Sequence, residues 1–270
     1  MNICFIGGGN MAKALVGGMV KRGYAPSKIR VVELDDKRCA AIHRKFAVRA
    51  TTDMSDAVSY CEIVLLAVKP QQLRGVCADL APLLTGQLVI SIAAGIRTQD
   101  IARWLGTQNV VRAMPNTPAL IRQGVTGLYA MAQVREQERE QAESILEAVG
   151  TTLWVEQEAQ LDSVTAISGS GPAYVFYFIE AMQQAARELG LDELQARQLV
   201  LDTFIGAAKL AADSQEDVAT LRVRVTSKNG TTERALLSME ANRVSAHIIA
   251  AAHAAAARSK ELGDELGKDD

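Results

Sequence analysis

The sequence predicts a doubly wound parallel α/β domain followed by an all-helical domain, and three observations carry that expectation. Short apolar runs alternate with helix-period stretches over the first 157 residues. A glycine cluster, Gly7-Gly8-Gly9, follows the first apolar run and leads at once into a helical pattern. Beyond residue 157 the apolar runs stop, and alanine-rich stretches punctuated by leucine and isoleucine take over. The two domains are therefore expected over 1–157 and 158–270, each long enough to bury a core of its own.

Taken in order, strands are expected over 2–6, 29–33, 62–68, 87–93 and 109–114, with two further at 125–130 and 152–155. Runs such as IVLLAV are apolar without alternation. They demand cover on both faces, which is how parallel sheets are built. Helix-period stretches at 11–22, 37–46, 71–84, 98–105 and 136–149 fill the gaps, and strand–helix–strand repetition of this kind winds a sheet on both sides. The second half predicts helices over 173–189, 192–212, 216–223, 232–240 and 243–262. There Gly190 stops one helix and Asp192 caps the next. The run HIIAAAHAAAA lets helices approach closely and is apolar enough to pack against more than its own chain. An intertwined homodimer is the expectation.

Gly7-Gly8-Gly9-Asn10-Met11-Ala12 fits G-x-G-x-x-G/A between a strand and a helix, the context that gives the pattern meaning. The first glycine turns the chain and the second lets backbone approach a pyrophosphate. Ala12 lets helix and strand pack, and the helix amino end faces the phosphate charge. Ile6, Gly7, Gly8, Gly9, Asn10, Met11 and Ala12 are thus read as a Rossmann-type cradle for NADP(H) or NAD(H). The second strand ends in VVELDDKR. Glu33 or Asp35 suits a free ribose 2′-hydroxyl, as in NAD(H), whereas Lys37 and Arg38 suit the 2′-phosphate of NADP(H). The sequence leaves both open.

Ala67, Val68, Lys69 and Pro70 end one strand, and Ile92, Ala93 and Ala94 end the next. Strand carboxyl ends border the ligand crevice of an open α/β sheet, so both segments are expected along the cofactor. Small Ala93 and Ala94 leave room for a flat nicotinamide ring. AMPNTP, with its two prolines, makes a rigid rim at 113–118. In the second half SGSG at 168–171 precedes Pro172, which suits a first helical turn. At 225–236 a Ser/Asn/Gly/Thr run leads into a helix. Free N–H groups of Gly230, Thr231 and Thr232 are expected to bind a carboxylate there. The Thr231 and Thr232 hydroxyls add one donor or acceptor each.

A formal charge of −2 gives no electrostatic reason to expect nucleic acid or an anionic membrane as partner. No apolar run approaches the ~20 residues of a membrane span, and no signal-peptide pattern precedes the first strand. Cys4, Cys39, Cys61 and Cys77 form no Cys-x-x-Cys pair and read as reduced thiols of a cytoplasmic protein. His43, His247 and His253 sit in no nucleophile or metal-ligand spacing, so no metal site is expected. Hydride transfer to an already electrophilic carbon needs little acid–base machinery and fits such a chain.

FIGGGNMAKAL, AVKPQQL, SIAAG, RAMPNTPA, SGSGPAYVF and VTSKNGTTERALLSME, in that order, resemble the landmarks of pyrroline-5-carboxylate reductases along nearly the whole chain. The resemblance implies reduction of the cyclic imine 1-pyrroline-5-carboxylate to L-proline by NADPH or NADH, the last step of proline biosynthesis. It implies that Thr232 contacts the ring nitrogen and that Gly230, Thr231 and Thr232 hold the carboxylate. Ser168, Ser170 and Gly171 would line the same pocket, where the helical domains of two subunits meet the nucleotide domain. Two departures stand out. Lys228 and Asn229 replace the family's common Pro-Gly, and Glu33 and Asp35 stand where small polar residues usually favour NADPH. A 3-hydroxy-acid dehydrogenase would need a lysine on the first long helix of the second domain, and 172–189 has none. A reductase of another cyclic imine and a non-catalytic dinucleotide-sensing dimer are the other readings. The Gly-Thr-Thr turn argues against the sensor.

Overall fold

The computed structural model describes residues 1–268, and one sheet of eight strands organises its first part. The strands are β1 (Ile3–Ile6), β2 (Ile29–Val32), β3 (Arg49–Thr51), β4 (Ile63–Leu66), β5 (Leu88–Ser91), β6 (Val110–Met114), β7 (Gly124–Ala130) and β8 (Gly150–Trp154). They lie in the order β3-β2-β1-β4-β5-β6-β7-β8. Pairing is parallel from β3 through β6, while β7 runs antiparallel to β6 and β8 parallel to β7. The chain winds outward from β1 in one direction and then from β4 in the other. The crevice at that reversal is where such sheets bind ligands.

The sheet is covered by α1 (Asn10–Lys21), α2 (Asp36–Phe46), α3 (Met54–Ser59), α4 (Pro70–Leu80), α5 (Thr98–Leu105), α6 (Glu136–Leu146) and α7 (Gln160–Val164). One core joins Leu15 and Val16 of α1, Ile42 of α2 and Ile145 of α6. The other joins Val58 of α3, Leu73 and Cys77 of α4 and Ile101 of α5. Along β1, Ile3 and Phe5 belong to the first core, Cys4 and Ile6 to the second. That is why all four residues of the strand are apolar and buried. β3 and α3, three and six residues long, are too short to leave a periodic signal, and sequence patterning does not find them. The expected helices at 71–84 and 136–149 finish in 3-10 turns at Ala81–Leu83 and Glu147–Val149.

The chain forms two compact units, residues 1–170 with the segment from Ala254 onward, and Gly171–His253. The sheet unit therefore runs past residue 157. Its cause is a buried charge cluster. Arg112 of β6, 3% exposed, donates to Glu158 at 3.1 Å. Glu158 also accepts from the Thr98 N–H at 2.7 Å and the Thr98 hydroxyl at 2.8 Å, at the start of α5. Ser259 donates to Asp162 at 2.7 Å, and Leu161 and Ala166 are buried. After α7 the chain makes a π-helical turn, Thr165–Gly169, closed by the Ser170 N–H on the Thr165 carbonyl at 2.8 Å.

The second unit contains α8 (Gly171–Glu188), α9 (Glu193–Asp213), α10 (Val218–Arg224), α11 (Thr231–Ala241) and the first half of α12 (Val244–Leu266), and no strand. Asp192 caps α9 as expected, accepting from the Gln195 N–H at 2.9 Å while the Gln195 side chain takes the Asp192 N–H at 3.1 Å. Ala196 and Val200 are its buried residues, whereas Phe176, Tyr177, Ile205, Met239 and Ile249 are exposed. No helix among the described residues is long and apolar enough to cross a membrane.

Candidate nucleotide cleft and substrate turn

β1 delivers the chain to Gly7, whose φ of +96° and N–H bond to the Val32 carbonyl at 2.9 Å make the first turn. A Cβ at Gly7 would stand 2.8 Å from the Ala67 carbonyl oxygen, so no other residue passes between β1 and β4 in this conformation. Gly9 caps α1 without any side-chain bond, and a Cβ there would meet nothing within 4 Å. The N–H groups of Asn10, Met11 and Ala12 precede the first helical bond, from Lys13 to Gly9 at 2.9 Å, and no acidic residue lies in that turn. Open space over a helix amino end with unmatched donors fits a pyrophosphate. Ala12 itself is buried where α1 meets the sheet, the packing role its size predicts.

A cleft of about 390 Å3 opens beside this turn. It brings together Ile6, Gly7, Gly8 and Gly9 with Glu33 and with Ala67, Val68 and Lys69. Leu34, Thr52 and Gln72 also line it, and nothing in their local sequence marks them. Arg38 lines it too, while Lys37 does not. A larger hollow of about 700 Å3 along α5 lacks the glycine turn, and the start of α5 that lines it already has the Glu158 carboxylate on the Thr98 N–H, so the smaller cleft is the better candidate for an anionic ligand.

Other expected cofactor residues lie elsewhere. Asp35 does not line the cleft. It caps α2, accepting from the Arg38 N–H at 2.9 Å. Pro70 is spent on the first turn of α4. Ala93 is 3% exposed and packs into the second core, its N–H on the Ser91 hydroxyl at 3.3 Å, and it does not line the cleft. Ile92 and Ala94 are half-buried and outside the cleft lining. Glu33 is in place but not free. Its carboxylate accepts from the Gly8 N–H and the Leu34 N–H, both at 3.0 Å.

In the helical unit the expected turn forms, with one correction. The Gly230 N–H is consumed, donating to the Ser227 carbonyl at 3.0 Å. The open donors are those of Thr231, Thr232 and Glu233, ahead of the first helical bond from Arg234 to Gly230 at 3.2 Å. Asn229, third residue of this turn, has φ +60°. A type II turn requires that conformation there and favours proline one place earlier, so the family's Pro-Gly and this chain's Lys228-Asn229 meet the same need. Asn is the next residue after Gly to tolerate it. The Glu233 carboxylate holds the turn by accepting from the Asn229 N–H at 2.7 Å.

Ser168 donates its hydroxyl to the Val164 carbonyl at 2.9 Å inside the π turn. Its own carbonyl accepts from the Asn116 side chain at 3.2 Å, and Asn116 accepts in turn from the Val125 N–H at 2.9 Å. The AMPNTP rim is thus a brace for the SGSG segment. Ser170 and Gly171 are half-buried, and Gly171 with Pro172 opens α8.

Comparison with known proteins gives the family. A family model described as "Pyrroline-5-carboxylate reductase dimerisation" matches residues 158–262, and one described as "NADP oxidoreductase coenzyme F420-dependent" matches residues 2–95. The pyrroline-5-carboxylate reductase of Pseudomonas aeruginosa is 48% identical over 98% of this chain and 98% of its own. The chain belongs to the pyrroline-5-carboxylate reductase family. The reductase of Pasteurella multocida is 42% identical over 97% of both chains. Among solved structures, the pyrroline-5-carboxylate reductase of Coxiella burnetii superposes with a TM-score of 0.92 at 43% identity, over 97% of this chain and 98% of that one. The Plasmodium falciparum pyrroline carboxylate reductase with NADP bound gives 0.87 at 28% identity, over 97% and 98%. As a pyrroline-5-carboxylate reductase the chain is an NAD(P)H-dependent oxidoreductase acting on a C=N bond, and its dimerisation region makes it a homo-oligomer.

Proposed function

We propose that this enzyme reduces 1-pyrroline-5-carboxylate to L-proline with the cofactor held at the 6–12 turn and the substrate held at the start of α11. The observation that carries the reading is the pair of helix amino ends, each capped by a glycine with no side-chain bond. Each offers unmatched N–H groups to an anion, a pyrophosphate at α1 and a carboxylate at α11. When bound, the reduced nicotinamide supplies the hydride. The chain's own part is positioning. Thr231, Thr232 and Glu233 N–H groups grip the carboxylate, and the Thr232 hydroxyl donates to or shares a proton with the ring nitrogen, which keeps the neighbouring carbon electrophilic. Ser168, Ser170 and Gly171 shape the same pocket. In functional terms residues 1–157 serve the cofactor and 158–270 serve substrate and dimerisation, as the dimerisation match from 158 supports. Four free, buried thiols support a reducing, cytoplasmic location, and the homodimer is the working unit.

The test follows dihydronicotinamide absorbance with 1-pyrroline-5-carboxylate for wild type, Thr232→Ala and Thr232→Ser. Loss of one transition-state hydrogen bond predicts kcat lowered about 10–100-fold in the alanine variant, with substantial recovery in the serine variant. Unchanged turnover in Thr232→Ala removes Thr232 from the mechanism.

A further inference from the structure

We propose that Glu33 makes this reductase bind NADH more tightly than NADPH. The inference rests on the reading of the 390 Å3 cleft as the dinucleotide site. Glu33 follows β2, is 9% exposed and lines that cleft. Its two oxygens are pinned by the Gly8 and Leu34 N–H groups, one each at 3.0 Å. A carboxylate has about four lone-pair sites, so two bonds leave it able to accept more. The group at the end of the second strand is the one that meets the adenosine ribose in this architecture. A ribose diol brings two O–H donors to such an acceptor. A 2′-phosphate brings no obligatory donor and a charge of about −1.5 to −2 at pH 7.

The cation that would offset this charge is already matched. Arg38 lies 3.5 Å from a Glu33 oxygen and 3.4 Å from an Asp35 oxygen. Around the ribose end, two carboxylates face one guanidinium, and Lys37 does not line the cleft. Lys69 does, but it follows β4, across β1 from Glu33. Like charge held against like charge in a partly buried site is strongly selective.

The experiment measures dissociation constants for NADH and NADPH, without substrate, by nucleotide fluorescence on the intact oligomer of wild type, Glu33→Gln and Arg38→Ala. The wild type should favour NADH by about tenfold or more, and Glu33→Gln should shrink that ratio by about tenfold. Arg38→Ala should leave the ratio within about threefold, since Arg38 here serves carboxylates. Wild type favouring NADPH, or Glu33→Gln weakening both nucleotides equally as a mere brace of the glycine turn would, overturns the inference. So does selective loss of NADPH in Arg38→Ala. Those results leave the cleft assignment standing, whereas failure of wild type to bind either nucleotide overturns the assignment itself and this inference with it.

Discussion

Single residues decide the two proposed anion sites. Gly9 is the clearest case, because the space above it is empty of protein and a side chain there would fill it. Gly9→Leu should therefore leave the fold intact while abolishing cofactor binding. Unaltered circular dichroism with no measurable nucleotide affinity is the expected pair of results, and normal affinity refutes the cradle. The glycine turn was legible because its reason is local: a positive φ, a close backbone and an uncapped helix start follow one another within three residues. Glu33 was legible as a candidate but not as a pinned group, since Gly8 reaches it only after the chain has returned through β2. That the Gly230 N–H closes backward onto Ser227 is a feature of the folded turn that a sequence does not display. The face that Ala93 takes is equally hidden from the sequence. A small residue at a strand end serves a ligand or the core according to the face it takes, and here it takes the core.

Among the elements, α6 shows how a helix start couples to pH. Glu138 lies in its first turn and accepts from the Arg135 side chain, from Asn109 at 2.9 Å and from the Arg135 N–H at 3.0 Å. The Arg135 hydrogen bond, then the Asn109 and backbone bonds, hold the Glu138 carboxyl down from 4.5 to about 2. A folded-state pKa below the unfolded one stabilises fully above the unfolded value and is lost as pH falls through the folded one. Glu138→Gln should thus cost on the order of 1–2 kcal/mol at neutral pH. The gap to wild type should close between pH 4.5 and 2. Urea titrations across that range measure it, and a gap independent of pH rules out the ion as its source. All seven expected strands and ten expected helices exist, because four or more apolar residues or two helical turns carry a period. β3, α3 and the π turn do not carry one, being set by their neighbours.

For the molecule as a whole, the imbalance between the units matters most. The sheet unit has two dense cores, while the helical unit buries only Ala196 and Val200 and leaves large apolar side chains on the helices α8 to α12. Two small buried side chains do not hold some eighty residues of helix against chain entropy. Association must supply the missing burial. At micromolar concentration the protein should sediment as a dimer or a multiple of it, and its melting temperature should rise with concentration. A stable monomer would refute this. The sequence announced the helical half and its stickiness through the alanine-rich run at 247–257. It did not announce that 158–170 packs with the sheet, because the ties come from residues far away in the chain, Thr98 and Arg112 on Glu158 and Ser259 on Asp162. The turn before α11 has a bearing on how the enzyme ages. Asparagine followed by glycine is the pair most prone to cyclise and lose its side-chain amide, through attack by the glycine nitrogen. At Asn229-Gly230 that nitrogen is engaged with the Ser227 carbonyl and the asparagine is fixed in a left-handed bend. The contacts that shape this turn therefore also slow the chemistry that would spoil it.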